Sequence, residues 1–262
     1  MGVKTQITLQ KVEELFPEFS FKYLIESSSG VQDTTYISDL YIIKKYERKI
    51  DKKIAQEIRT LQELRKIGLN VSLFLAESKG WYLYEKLRGE SPQSIKFFHI
   101  QALARTLSKL HRYTKYDKNR DNFLAQYQIK EYLQGSKKKF YFYYKKMQAL
   151  ENYTMPNDGF IHGDLFRDNT LFENEKIALL DFIDGGNGSF VFDMAVSLLS
   201  FNPHKKRSFL RLFLNTYNQN ALKKVSLQEL EKNIAIAAKL YGLLRIIDSK
   251  NIIRAQELAK FW

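Results

Sequence analysis

Hydrophobic periodicity changes once along this chain, and that change limits the possible folds more than any other feature. Over the first ~85 residues short β-branched and aromatic runs alternate with turn signals, and beyond them apolar residues recur at helical spacing. Thr34 to Ser38 (TTYIS) and Tyr41 to Tyr46 (YIIKKY), separated by Asp39 and Leu40, predict a hairpin. From Asp51 to Ile67, the residues Ile54, Ile58, Leu61, Leu64 and Ile67 share one helical face, and Gly68 stands where a helix C-terminus favours it. Val71 to Leu75 and Trp81 to Leu87 (WYLYEKL) read as two further strands, with Gly89 as a hinge. Phe97 to Tyr113 and an aromatic-rich stretch from Ile129 to Leu150 predict helices that pack as core, followed by helices at Phe209 to Leu222 and Leu227 to Ile247. The expected class is therefore α+β: a small antiparallel sheet at residues 1–88 and a mainly helical part at 89–262.

Composition excludes several chemistries. Among 262 residues, 44% are apolar and 27% charged, and no apolar run approaches the ~18 residues of a membrane span. Zero cysteines exclude disulfides, zinc-thiolate sites, iron–sulfur clusters and thiol catalysis, and four scattered histidines argue against a His-rich metal site. The start, MGVKTQITLQKVEELF, is polar and mixed in charge, unlike a secretory signal, and places the chain in the cytoplasm. A net charge of +13 draws polyanions. Short lysine clusters, GSKKK at 135–139 and HKK at 204–206, read as solvated surface, so neither a nucleic acid nor a membrane is expected as partner.

The segment from Ile161 to Phe182 interrupts the helical pattern with a polar loop and two short strands, Thr170 to Phe172 and Ile177 to Phe182. Within it HGDLFRDN, residues 162–169, sets Asp164 and Asn169 five positions apart, and Asp181 ends an apolar strand twelve positions later. Phosphoryl transfer uses these residue types. One carboxylate orients and deprotonates an attacking hydroxyl, while an amide oxygen and a second carboxylate hold Mg²⁺, which prefers hard oxygen ligands. The spacing matches the arrangement of kinases. The blander reading is that Asp164 and Asn169 merely form side-chain turns. His162 reads as a histidine bonded to loop backbone, since no second histidine stands at ligand spacing. His99 and His111 read as helix-face residues.

Upstream, Lys44 lies on a predicted strand, and a buried strand lysine needs an acidic partner and an anionic ligand. Glu57 on the next helix is the candidate partner, with Lys45 as the competing lysine. Ser27 to Thr34 (SSSGVQDT) occupies the place of a phosphate-covering loop, where Ser28, Ser29 and Gly30 can offer hydroxyls and amides, although a lone glycine equally marks an ordinary turn. WYLYEKLRG can present backbone groups near Glu85 and Leu87 to an adenine edge.

These residues together resemble the aminoglycoside phosphotransferase and choline kinase superfamily. Only twelve positions separate Asp181 from Asp193, too few for the peptide platform of a protein kinase. Within the superfamily the chain is most similar to bacterial homoserine kinases of the aminoglycoside-phosphotransferase type. The likeness rests on VKTQIT, GVQDTTY, LRGESP, ALARTLSKLH, HGDLFRDNTLF, and DF followed by GN and FDMAVSL, spread over roughly residues 1–200. It implies a bilobal protein-kinase-like fold, ATP with Mg²⁺, and phosphorylation of a small alcohol. It also implies Asp164 as base, Asn169 and Asp181 as metal ligands, and Lys44 with Glu57 as the phosphate-side pair.

The acceptor implied first is L-homoserine, with choline, ethanolamine or an aminoglycoside as alternatives. A zwitterion needs a cation for its carboxylate and polar or acidic groups for its ammonium. Arg167 in the catalytic loop is the candidate cation, and Asp184 and Asn187 the candidates for the ammonium. Arg167 reads equally as a loop brace, and Asp184 as a turn residue before Gly185 and Gly186. Two readings of other classes stand beside this one: a kinase-like protein that binds nucleotide without catalysis, and a basic nucleic-acid-binding module.

Overall fold

The structure, a computed structural model, describes residues 3–27, 33–202, 206–247 and 251–262. The chain divides into two compact units, one of Met1–Gly89 with Ala178–Ile183 and one of Glu90–Ile177 with Asp184–Trp262. The first break falls after Gly89. The return of Ala178–Ile183 to the first unit was not legible in the sequence.

In the first unit helix α1 (Leu9–Leu15) precedes β1 (Ile25–Glu26), β2 (Thr34–Ile37) and β3 (Tyr41–Lys45), and α2 (Asp51–Lys66), β4 (Phe74–Ser78) and β5 (Trp81–Glu85) follow. The strands pair antiparallel in the order β1-β2-β3-β5-β4. Alternation along β3 divides its side chains between two faces. Ile43 is buried with Val12 and Leu15 of α1 and with Tyr36, Trp81 and Leu83. Tyr46, on the other face, packs with Ile54 of α2 and with Ile183. Helix α2 ends where the sequence places its stop. Gly68 takes φ +74°, its N–H bonds the Arg65 carbonyl and the Leu69 N–H bonds the Leu64 carbonyl, which closes the helix in a Schellman motif.

The strand expected from Val71 differs. β4 begins at Phe74 and runs to Ser78, while Val71 is fully buried and instead bridges Leu179 in parallel. The Leu179 N–H also bonds the Asn70 carbonyl at 3.0 Å, which fastens Ala178–Ile183 to this unit.

The second unit holds α3 (Phe97–Tyr113), α4 (Ile129–Lys139), α5 (Tyr141–Met147), β6 (Gly159–Ile161), β7 (Thr170–Glu173), β9 (Gly186–Gly188), α6 (Phe190–Phe201), α7 (Arg207–Asn220), α8 (Leu227–Ile247) and α9 (Ile252–Leu258), while β8 (Lys176–Leu179) leads back into the first. α3 packs on α7 and α6 on α8, around a core that includes Leu103, Leu107, Phe192, Phe201 and Phe213. The stretch read as one helix from Ile129 is two, broken at Phe140 (φ −140°, ψ 56°). The apolar period runs through the break, so periodicity could not reveal it, and the aromatic run from Phe140 to Tyr144 has low helix propensity. Among the described residues no helix is long and apolar enough to cross a membrane. The architecture, an antiparallel sheet unit followed by a mostly helical one, is that of the bilobal protein-kinase-like fold.

Candidate active site

In the first unit strand parity separates the two adjacent lysines. Lys45 shares the face of Ile43 and sets its ammonium 5.3 Å from the centre of the Trp81 ring. Lys44 turns to the opposite face, where its Nζ lies 3.5 Å from Asp181 Oδ1. Burial by itself lowers the Lys44 pKa, but the carboxylates of Asp181 and Glu57 outweigh it and the net shift is upward, so the ammonium stays charged.

Glu57 is 4% exposed on α2. Its Oε2 accepts the Tyr46 hydroxyl at 2.7 Å and its Oε1 the Phe182 N–H at 3.1 Å, and Tyr46 in turn meets the Tyr84 hydroxyl at 3.0 Å. Burial raises the Glu57 pKa, and the field of Lys44 opposes it. Glu57 therefore acts on Lys44 through its field while its Oε1 holds the Phe182 backbone beside Asp181; the direct contact of the ammonium is with Asp181. Asp181 does not end a strand as expected: β8 stops at Leu179, and Asp181 lies in the left-handed region at φ +61°. Such a conformation strains a residue with a Cβ and is held only where the surroundings impose it.

In the second unit the loop after β6 carries Asp164, which is partly exposed. The Asn169 amide donates to the Asp164 carbonyl at 2.7 Å and to its Oδ2 at 3.2 Å. His162 Nδ1 accepts the Asp164 N–H at 3.3 Å, the backbone role the sequence reading gave that histidine. Beneath the loop Asp193 is fully buried, its Oδ2 accepting the His162 N–H at 3.0 Å and its Oδ1 the Gly163 N–H at 2.8 Å. His111 Nε2 reaches the same Oδ2 at 3.0 Å, and His111 Nδ1 the Tyr217 hydroxyl at 2.8 Å. Burial alone would raise the Asp193 pKa. The His111 hydrogen bond and charge, with the loop N–H groups, reverse this and hold it below the usual carboxylate range. An ionised Asp193 can only accept, so His111 carries a proton on Nε2. The Tyr241 hydroxyl donates to the Gly163 carbonyl from α8.

Asp193 and His111 are the positioning residues that sequence reasoning missed. The signal was present: Asp193 is the one charged residue in the apolar run FVFDMAVSLLSF, and His111 sits on a helical face otherwise built of Ile100, Leu103, Leu107 and Leu110. A carboxylate buried in such a helix needs a partner.

The remaining expected residues divide. Ser28, Ser29 and Gly30 lie outside the described residues. The Glu85 N–H bonds the Leu73 carbonyl, its own carbonyl accepts the Ser72 hydroxyl, and its carboxylate pairs with Arg65 at 3.2 Å, so the sheet and α2 already engage this residue. Among the described residues nothing is hydrogen-bonded to the Leu87 backbone. Arg167 donates to the Gln93 carbonyl at 3.3 Å, the bracing alternative. The Asp184 carbonyl accepts Gln126 at 3.1 Å. Asn187 corrects the sequence reading: it is 1% exposed, its Nδ2 donates to the carbonyls of Asp117 and Arg120 at 2.6 Å each, and its Oδ1 accepts the Asp117 N–H. Those bonds brace the 117–120 loop and take up the carboxamide that an acceptor would need.

Each unit by itself offers oxygen atoms of the kind a hard divalent cation prefers. Asn169 uses its nitrogen on Asp164 and keeps a carboxamide oxygen, and the Asp181 side chain is 44% exposed. Mg²⁺ is commonly held by one or two such oxygens together with substrate phosphates.

Comparison with known proteins agrees with this geometry. The model of the phosphotransferase enzyme family (APH) matches residues 24–227. Homoserine kinase of Polaromonas naphthalenivorans (strain CJ2) is 25% identical over 199 residues, covering 66% of this chain and 63% of that protein. Homoserine kinase of Rhodopseudomonas palustris (strain BisA53) is 35% identical over 101 residues, covering 36% of this chain and 31% of that protein. The chain thus spans less than two thirds of the length of these curated relatives. Among solved structures, the streptomycin–ATP ternary complex of APH(2")-IIa superposes with a TM-score of 0.69 at 18% identity, covering 98% of this chain and 99% of that one. A macrolide 2'-phosphotransferase type I gives 0.69 at 17% identity with the same coverage. With its family match spanning both the Lys44–Glu57–Asp181 set and the Asp164–Asn169 loop, the chain belongs to the APH phosphotransferase enzyme family.

Proposed function

We propose that the chain is an ATP- and Mg²⁺-dependent kinase that phosphorylates the hydroxyl of a small amino-bearing alcohol, L-homoserine first. The carrying observation is the Asp164 loop. The carboxylate is partly exposed, fixed by Asn169, and its backbone is pinned through Asp193. A base so held can orient an acceptor hydroxyl and take its proton without reorganising. Asn169 and Asp181 serve as metal ligands, and bound Mg²⁺ would supply charge neutralisation at the phosphates. Lys44 holds the non-transferred phosphates, Glu57 keeps Lys44 and the Phe182 backbone in place, and Leu87 offers backbone groups to the adenine. Use of ATP agrees with a cytoplasmic location.

The homoserine kinase relatives favour L-homoserine over choline, and Arg167 and Asp184 remain the candidate groups for its carboxylate and ammonium. The test is an ADP-release assay over L-homoserine, choline, ethanolamine, free sugars and an aminoglycoside panel. Highest kcat/KM with L-homoserine supports the reading. Turnover confined to another alcohol overturns the acceptor alone. Absence of both turnover and Mg²⁺-dependent nucleotide binding overturns the kinase reading.

A further inference from the structure

One stretch of the chain is dense in lysine and free of acidic residues. Residues 132–150 contain no aspartate or glutamate and hold five lysines: Lys137, Lys138, Lys139, Lys145 and Lys146. The broken helix pair α4–α5 presents all five to solvent, with Tyr141 (55% exposed) and Phe142 (68% exposed) between them. The other side of the pair is anchored. Leu133, Tyr144 and Met147 are buried, α4 packs on α8, and Tyr143 meets Trp262 edge to face at 5.7 Å. Two adjacent large rings left in water is the informative observation, since each would ordinarily be removed from it. Sequence periodicity assigned this stretch to core; the break at Phe140 turns part of it outward.

We infer that this edge docks on the surface of an anionic lipid bilayer, with the lysines at the headgroup phosphates and Phe142 and Tyr141 entering the boundary of the acyl chains. Charge complementarity favours it, because clusters of this size on a helix are attracted to acidic lipid. The rings add the apolar contact that charge alone lacks. Single-stranded nucleic acid is the other polyanion served by lysines and aromatics, but it binds by stacking bases on open ring faces. Here one face of each ring is taken. Lys145 Nζ lies 5.4 Å from the centre of Tyr141 and Lys146 Nζ 5.9 Å from that of Phe142, and Tyr141 also stacks on Tyr144 at 6.1 Å. Rings capped by ammonium groups suit an interface that is charged above and apolar below. The residues of this surface are none of those placed in the candidate active site.

The 262-residue chain is mixed with vesicles of phosphatidylcholine containing phosphatidylglycerol, and with vesicles of phosphatidylcholine alone, and co-sedimentation is measured at physiological salt. Binding is expected to the anionic vesicles only, and to weaken with added salt. Each surface lysine contributes about fivefold, so the combined Lys138→Gln, Lys139→Gln, Lys145→Gln and Lys146→Gln variant lowers partitioning by about three orders of magnitude. Its circular dichroism and phosphoryl transfer should match the parent. Phe142→Trp alone tests insertion whether or not the four-lysine variant folds: its fluorescence should be quenched by brominated phosphatidylcholine within anionic vesicles. No sedimentation with anionic vesicles, or sedimentation undiminished in a folded four-lysine variant, overturns the inference. So does retention on a single-stranded oligonucleotide with Phe142→Trp unquenched by vesicles.

Discussion

The Gly163 N–H donates to Asp193 Oδ1 at 2.8 Å, so a fully buried carboxylate on α6 fixes the His162–Gly163 peptide, one residue ahead of Asp164. Asp193→Ala leaves the His162 and Gly163 amides and the His111 ring without their acceptor. Removing one partner of such a buried charged network destabilises by about 3–5 kcal/mol. Thermal and urea unfolding should show the loss, and an unchanged midpoint would refute the bracing role.

Asp164→Asn preserves shape and the contacts of the Asp164 backbone, including the Asn169 bond to its carbonyl. Turnover should fall by ~10² to 10⁴, the scale of losing a general base, with little change in melting temperature or nucleotide binding. Single-turnover kinetics beside a melting curve separate the two effects, and near-parental turnover removes Asp164 from the base role.

Lys44→Ala should raise the KM for ATP about tenfold or more, the scale of a hydrogen bond to a charged group. Glu57→Ala should act more mildly. Because Glu57 works through the field at Lys44 and the Phe182 backbone, the double variant should be less impaired than the sum of the singles. Strict additivity across this double-mutant cycle would show that the two do not act as a unit.

Two buried carboxylates give stability opposite slopes against pH. Burial raises the Glu57 pKa above 4.5, so the native state binds a proton more readily than the unfolded chain. Its stabilisation is present below pH 4.5 and lost as pH rises through the folded-state value. Asp193 lies below 3.8, against the effect of its burial and because of His111 and the loop amides. Its contribution is present above 3.8 and lost as pH falls through the folded-state value. Urea unfolding from about pH 3 to pH 8 should show Glu57→Gln losing the decline above 4.5 while keeping the acid limb. An identical decline in parent and Glu57→Gln would exclude Glu57 as its source.

Gly163 and Gly80 both adopt φ +76°, but a Cβ at Gly163 would lie 2.0 Å from the Phe123 ring while one at Gly80 meets nothing within 4 Å. Gly80→Ala should cost about 1–2 kcal/mol from the left-handed conformation alone. Gly163→Ala adds overpacking of about 1–3 kcal/mol, and it displaces the loop that carries Asp164. Equal melting shifts for the two would remove the steric argument.

What the sequence disclosed follows from the range of each interaction. Strand parity distinguishes Lys44 from Lys45, because alternation is a local rule, and five-residue spacing joins Asp164 to Asn169 within one loop. The Asp193–His111 pair spans 82 positions and no local pattern connects them. The left-handed Asp181 and the break at Phe140 are backbone choices made against intact apolar runs. Asn187 was a candidate because it follows Asp181 closely along the chain, and only tertiary structure shows Asp117 and Arg120 occupying its amide.

Assigning Ala178–Ile183 to the first unit bears on how the chain is made. As it leaves the ribosome, the sheet unit is complete in sequence to Gly89, yet the Leu179 that closes on Asn70 and the Phe182 amide that Glu57 accepts lie in a segment ending 94 residues further on. At about 5–20 residues per second this delay is roughly 5–20 s. Throughout it Glu57 lacks the Phe182 backbone donor. A fragment ending at Gly89 is therefore an unfinished fold, and the Lys44–Glu57–Asp181 set is complete only after the Asp164 loop has been synthesised.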